Sequence, residues 1–383
     1  MDRSQVALVR CDDYDPKAVY RALQRGIELL GGVERFAQPG ERILLKPNVL
    51  VGDVPEKAVT THPTVLAGCV RLFHQTGATL TFGDSPGPTG NARSLERAGL
   101  VEAATSVGAT VAEFSHGSPL PSPGGQMGDS FPVAQGVHDA DGVINLCKMK
   151  THGLTRLTGA VKNLFGCIPG RRKALYHLQY PDVRDFSRML VELALCIRPR
   201  LHIMDGIVAM EGNGPHGGDP RSMRVLILST DPVAVDATFA RLINMRPEYV
   251  PTTVIGAEVG LGQYRAEQIE YLGDPLEDFI CRDFRVVRRP ALQSGIIAQM
   301  PAPLRRMILP RPVIDEGNCV KCGACVEACP VAEKAVHFVK DRRDQPPVYA
   351  YERCIRCYCC QEVCPHRAIQ RETPLLGKIL GMG

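Results

Sequence analysis

The spacing of apolar positions alternates between two periods over the first 284 residues. Short apolar runs of strand type fall at residues 6–9, 43–45, 80–82, 143–146, 201–204 and 225–228. Between them, amphipathic segments of helical period cover 16–30, 63–75, 92–107, 183–197 and 232–243. Strands that alternate with helices predict parallel pairing, so the reading is an α/β domain with a mostly parallel sheet flanked by helices. Asp15-Pro16 and Asp231-Pro232 mark two helix starts. A carboxylate there caps free amides of the first turn, and proline is tolerated at the first helical position.

This pattern stops near residue 284, and three further segments follow. Residues 285–312 form a basic, proline-containing linker, residues 313–371 a small cysteine-rich α+β domain, and residues 372–383 a tail. The linker carries Arg285, Arg288, Arg289, Arg305, Arg306 and Arg311 and no acid, with Ile296, Ile297, Met300, Leu304, Met307, Ile308 and Leu309 interleaved. Such a stretch suits a membrane surface, but its prolines prevent one long helix, so docking across the two domains is the favoured expectation.

Composition narrows the class. With 44% hydrophobic and 22% charged residues, the chain has an ordinary globular make-up. A net charge of +4 gives no case for a nucleic-acid partner. The longest apolar run, near 193–197, is far short of the roughly 18 residues of a membrane helix. The opening Met-Asp-Arg-Ser-Gln lacks the basic start and apolar stretch of a signal peptide. The expectation is a cytoplasmic protein with no transmembrane segment.

Cysteine changes that picture. Nine of the 15 cysteines lie between Cys319 and Cys364. Residues 319–330 read CVKCGACVEACP and residues 354–365 read CIRCYCCQEVCP, both C-x2-C-x2-C-x3-C-P. This is the bacterial ferredoxin run, in which three thiolates of a tight loop hold three corners of an iron–sulfur cube and a remote cysteine closes the fourth. The assignment is one [4Fe-4S] cluster on Cys319, Cys322, Cys325 and Cys364, and a second on Cys354, Cys357, Cys360 and Cys329. Cys359 is spare, since using it in place of Cys360 spoils the spacing. Zinc is the alternative, disfavoured because the run occurs twice in full. Nine Lys/Arg against eight Asp/Glu between Asp315 and Arg371 suit a fixed wire serving its own chain better than an acidic diffusing carrier.

In open α/β sheets ligands bind beyond the carboxyl ends of the strands, and several polar strings fall there. Lys46-Pro47-Asn48 follows the second strand, Gly83-Asp84-Ser85-Pro86-Gly87 the third, Lys148-Met149-Lys150-Thr151-His152 the fourth, and Glu211-Gly212-Asn213 the fifth. Lys148, Lys150 and Lys162 suit an anion pocket, with His152 as proton donor. Lys46, Asp84 and Asn213 are further candidates for substrate contact, and Glu211 for catalysis. Each also has a structural reading, as a solvated lysine, a turn aspartate or a loop residue. No phosphate loop, G-x-G-x-x-G fingerprint or H-E-x-x-H helix is present, so no nucleotide or flavin motif is readable.

The strings LKPNVL, THPTVL, GDSPG, KMKTHGLTRLTGAVKNLFG, MDGIVAMEGNGP and STDPVAVDATFARL resemble the family catalogued as domain of unknown function 362 over roughly residues 6–275. Its members often carry a C-terminal ferredoxin module. The resemblance implies an α/β domain coupled to iron–sulfur clusters and brings no settled activity. The functional expectation is an iron–sulfur oxidoreductase in which electrons from an external one-electron donor reach a small anionic substrate through the clusters. The alternatives are a non-enzymatic electron-transfer or maturation partner of another protein, and a non-redox enzyme with structural clusters.

Overall fold

A computed structural model describes residues 3–87, 93–170, 172–291 and 300–379. Strands β1 (Ser4–Arg10), β2 (Arg42–Lys46), β3 (Thr79–Phe82) and β4 (Thr110–Val111) come first. A short hairpin, β5 (Gly117–Pro121) and β6 (Ser130–Ala134), follows them. Next is β7 (Gly142–His152), on which β8 (Arg156–Leu157) folds back. β9 (Leu201–Glu211), β10 (Asp219–Ser229) and β11 (Ile269–Gly273) complete the region.

Among the described residues the main sheet runs β11-β1-β10-β9-β7-β2-β3-β4. The pairs from β9 to β4 are all parallel, as is β1 with β11. β10 is antiparallel to both neighbours. It follows β9 through a short loop, and a short loop can only return the chain antiparallel, because a parallel partner needs a crossover. The architecture is therefore α/β with a mostly parallel sheet.

Alternation along each strand divides the core between the two faces. Ile43 and Leu45 of β2 join a cluster with Leu23 and Leu66, from helices Pro16–Leu29 and Pro63–His74. Leu44, between them, joins Phe186 and Leu190 of helix Val183–Ile197 on the other face. Asp15 and Asp231 cap their helices as expected, each accepting from two first-turn amides. The helix expected over 92–107 is two pieces, Ser94–Arg97 and Leu100–Thr105, divided at Gly99, whose φ of 70° stops a right-handed helix. Its first residue, 92, lies outside the described residues, as do Ile296 and Ile297 of the linker.

The C-terminal region pairs β12 (Arg311–Ile314) with β15 (Ile369–Glu372) and β13 (Val336–His337) with β14 (Val348–Tyr349), all antiparallel. Its two cysteine runs share one backbone path. Lys321 and Gly323 take positive φ in the first run, and Arg356 and Tyr358 take it at the matching places of the second. Short helices Ala324–Ala328 and Cys359–Glu362 follow at equivalent positions. This domain docks on the α/β domain through Arg367 to Asp219 (2.9 Å), Asn213 Nδ2 to the Ile369 carbonyl (2.9 Å) and Arg371 to the Gly153 carbonyl (2.7 Å). No helix among the described residues is long and apolar enough to cross a membrane.

Candidate functional site

Strand order reverses between β2 and β7: the chain passes from β2 outward to β3, then returns to place β7 on the other side of β2. Their carboxyl ends diverge into a crevice, where ligands bind in open α/β sheets. Lys46, Asn48, Asp84 and the segment 159–167 gather at that point. Lys46 Nζ donates to Asp84 Oδ1 (2.8 Å), and Asp84 Oδ2 accepts from the Val49 amide (2.8 Å). The pair is buried and ties the loop after β2 to the loop after β3. Asn48 donates to Asn163 Oδ1 (2.9 Å), and Asn163 donates to Asn145 Oδ1 (2.7 Å), forming a buried amide ladder beneath the crevice.

The lysines do not converge as free cations, which corrects the expected anion pocket. β7 continues through His152, so Lys148 and Lys150 lie within a fully buried strand instead of a loop beyond it. Lys148 Nζ donates to Asp205 Oδ2 (2.7 Å) and to the Tyr14 hydroxyl (2.8 Å). Burial pulls its pKa down and Asp205 opposes the shift. Lys150 Nζ donates to Asn48 Oδ1 (2.7 Å) and the Val59 carbonyl (2.6 Å); burial, with Lys162 and Lys148 nearby, brings it down to about 7. Each ammonium has a protein partner because an unpaired one in this setting costs several kcal/mol.

Two other candidates hold the architecture together. Glu211 accepts from Arg285 through its backbone amide and its Nε, both at 2.9 Å, and so anchors the linker. Asn213 bonds Ile369 and Gln361 of the C-terminal domain, so it is a docking residue in this arrangement.

The open space lies just above, in a cleft of ≈ 540 Å³ lined by Asn48, Asp84, Lys162, Lys173, His177, Cys359 and Glu362, among others. Both domains build it: Cys359 and Glu362 come from the four-residue helix after the second cysteine run. Lys162 makes no hydrogen bond among the described residues, and its ammonium sits 5.9 Å from the centre of the Phe165 ring. Among the described residues of the cleft it is the cation without a hydrogen-bonded partner, and its charge acts on Glu362 across the cleft. Lys173 is engaged with Ser85 Oγ (2.7 Å) and the Ile168 carbonyl (2.8 Å), and burial lowers it to about 8. His177 is 5% exposed and stacks on Phe186 at 4.3 Å. Burial lowers it to about 4, so its imidazole is neutral at pH 7. His152 lies beneath the cleft. Its Nδ1 accepts from the Leu154 and Thr155 amides (3.0 and 3.2 Å), which leaves the proton on Nε2, 2.8 Å from Glu362 Oε1. That contact is too poorly aligned to count as a hydrogen bond.

Lys173, His177, Cys359 and Glu362 were not among the candidates from sequence. Lys173 and His177 stand four apart on helix Arg172–Gln179, a spacing that puts both on one face. Asp205-Gly206 stands out in the sequence as a polar string after the fifth strand, but its pairing with Lys148 is not legible there, since it depends on the β7–β9 register.

The four cysteines expected to hold the first cluster gather at one cavity, whereas of the second set the Cys357 thiol meets Cys359. Cys319, Cys322, Cys325 and Cys364 line one cavity of ≈ 350 Å³ whose other walls include Ile314, Ala324, Pro347, Ala368 and Ile369. Four thiols around this largely apolar cavity, which Lys321 and His366 also line, match the donor set of a cubane cluster. Cys329 and Cys360 pack in the same small core, with Cys354 against it, and the Tyr349 hydroxyl donates to Cys360 Sγ (3.3 Å). Cys359 takes the position that Ala324 holds in the first run and faces the cleft instead. Among the described residues no group of three or more His, Cys, Asp or Glu is drawn closely enough to hold a single metal ion.

Comparison with known proteins agrees with this architecture. A family model described as a domain of unknown function, DUF362, matches residues 43–241, and one for a 4Fe-4S dicluster domain matches residues 311–365. The Thylakoid-associated protein sll1697 of Synechocystis sp. is 38% identical over 277 residues, 71% of this chain and 84% of that protein. The lactate racemase apoprotein structure from Thermoanaerobacterium thermosaccharolyticum aligns over 60% of this chain with a TM-score of 0.38 and 10% identity. The chain spans about half (55%) of that structure. The chain is an iron–sulfur protein of the 4Fe-4S ferredoxin type, and through its α/β domain it belongs to the DUF362 family.

Proposed function

We propose that the chain is an oxidoreductase in which two [4Fe-4S] clusters exchange electrons with a small anionic substrate bound in the Lys162 cleft. One observation carries the reading: helix Cys359–Glu362 gives Cys360 to the cysteine core on one side and Cys359 and Glu362 to the cleft wall on the other. Cubane clusters, when bound, supply single electrons. Lys162 attracts and holds the anion. Phe165 and Leu50 on the cleft wall limit water around it. His177, neutral when the cleft is empty, gains affinity for a proton as negative charge arrives beside it and holds that proton for the reduced product. The Lys46–Asp84 pair and the Asn48–Asn163 ladder keep the floor rigid. An external one-electron protein serves as donor or acceptor.

The test is anaerobic reconstitution with iron and sulfide, dithionite reduction followed by EPR, and addition of carboxylate or phosphate metabolites. About eight irons per chain are expected, with reoxidation by one class of anion. Lys162→Gln should weaken that reoxidation about tenfold or more, the effect of losing one charged contact, while leaving iron content unchanged. Reoxidation by no anion overturns the reading.

A second reading, an electron-transfer partner without chemistry of its own, is favoured by an apolar face on two adjacent short helices. Met307 of Ala302–Ile308 is 57% exposed, and Leu375 and Ile379 of Leu375–Ile379 are 74% and 73% exposed. Clusters that reduce yet discharge only into another protein would support it. The thylakoid association of the Synechocystis relative fits a chain that works against a larger assembly.

A further inference from the structure

A second concave site lies where the α/β domain, the linker and the ferredoxin-type domain meet, and it shares no lining residue with the Lys162 cleft. It is an open concavity of ≈ 390 Å³ counted with its mouth, and its walls carry Arg156, Arg356, Arg371 and the ring of Tyr358. Arg156 and Arg356 are each 6% exposed. Among the described residues no carboxylate lines the space.

The bonds that Arg156 and Arg371 make hold them in place without neutralising them. Arg156 donates to the Arg289 and Pro290 carbonyls (3.0 and 2.7 Å), and Arg356 to the Leu309 and Pro310 carbonyls. Arg371 gives Nη1 to the Gly153 carbonyl (2.7 Å), its guanidinium lies 5.8 Å from the Tyr358 ring centre, and its Nε is buried without a partner. Carbonyls contribute dipoles and no charge. Among the described residues no carboxylate pairs with Arg156 or Arg371, and the sequence from 285 to 311 contains no acid that could approach. Burial first, then the neighbouring Arg371, pulls Arg156 down to about 10. Arg156 and Arg371 thus give the junction two cations with no counter-charge among the described residues.

We propose that this junction binds a phosphate-class oxyanion, either inorganic phosphate or the phosphate group of a small metabolite, and that the bound anion locks the ferredoxin-type domain against the α/β domain. Guanidinium forks match phosphate oxygens in pairs. A phosphate carries close to two negative charges at neutral pH, so it offsets several guanidiniums at once, which a monocarboxylate does not. The ligand spans the α/β domain through Arg156 and the ferredoxin-type domain through Arg356 and Arg371, so its binding and the docking of the domains are linked. The proposal is independent of the redox reading of the cleft.

The experiment uses the reconstituted full chain. Calorimetric titration with inorganic phosphate is run at constant ionic strength on the unaltered chain and on Arg371→Gln, Arg371→Lys and Lys162→Gln. Phenylglyoxal labelling of Arg371 is then read by mass spectrometry with and without phosphate. The expected result is saturable binding that protects Arg371 from labelling. Arg371→Gln should weaken it about tenfold or more, the usual loss for one charged hydrogen-bonded contact. Arg371→Lys, which keeps the charge but loses the fork, should fall between, and phosphate should still protect Arg371 from labelling in Lys162→Gln, whose loss is confined to the separate cleft. A phosphate monoester binding more tightly than phosphate, or less tightly, supports the assignment either way and tells the two sources apart. Absence of binding and protection, or binding lost in Lys162→Gln and kept in Arg371→Gln, overturns it. The labelling arm needs no variant, so a variant that fails to fold does not spoil the test.

Discussion

Replacing Lys148 by methionine separates a structural lysine from a substrate-binding one. Methionine keeps the length and apolar stem and deletes only the ammonium. The Lys148 and Asp205 side chains are 1% and 0% exposed and 2.7 Å apart. Without the ammonium, Asp205 retains the Tyr14 hydroxyl (2.9 Å), the His62 amide (2.9 Å) and the Ile207 amide (3.3 Å), but its charge has no counter-ion. Breaking a buried pair in this way costs about 3–5 kcal/mol, a large share of the roughly 5–15 kcal/mol of a typical domain. Asp205→Asn should cost a similar amount by stranding the ammonium. The double variant Lys148→Met/Asp205→Asn buries no unpaired charge and should recover at least about 2 kcal/mol relative to the sum of the singles. The chain has no tryptophan, so urea unfolding is best followed by far-UV circular dichroism on anaerobic samples. The reasoning is refuted if Lys148→Met costs under about 1 kcal/mol, within the range of exposed pairs, and abolishes anion-dependent reoxidation instead.

Three further outcomes are expected. Cys360→Ser should lose about half of the reconstituted iron and Cys359→Ser none, because the proposed two-cluster assignment gives a cluster corner to the former alone; equal losses by iron assay would reverse the assignment. Gly166→Ala places a methyl 1.9 Å from Asp84 Oδ1 and 2.7 Å from Lys46 Nζ, so it should force that buried pair apart. Thermal unfolding should register a destabilisation of about 2 kcal/mol or more. His202 is depressed from 6.5 to about 3 by burial, so its contribution to stability is complete above pH 6.5 and lost as pH falls toward 3. The unfolded chain binds the proton first, and the slope through this residue approaches about 1.4 kcal/mol per pH unit below pH 6.5. Denaturation across pH should show a shallower acid limb in His202→Gln.

Period and punctuation in the sequence were enough to determine the α/β character of the first region, most of its helices and two capping aspartates. These features depend on neighbours along the chain: a carboxylate caps amides two and three residues on, and an apolar stripe repeats each turn. The cysteine runs were equally legible, because a cluster loop needs its ligands at fixed short separations. Strand length was not. Nothing local distinguishes a polar string after a strand from one inside it, and Lys148 and Lys150 read as loop lysines although β7 carries both into the core. Whether a charged side chain is free or paired depends on what faces it from elsewhere in the fold. Asp205 meets Lys148 through the β7–β9 register, and Asp84 meets Lys46 through the loop after β3. The cleft itself required both domains, since its wall is closed by Cys359 and Glu362, nearly 200 residues beyond Lys162. Spacing along the chain marked the cysteines of the 4Fe-4S ferredoxin-type domain. Contacts across the sheet and between the domains decided which cation is left to meet a ligand.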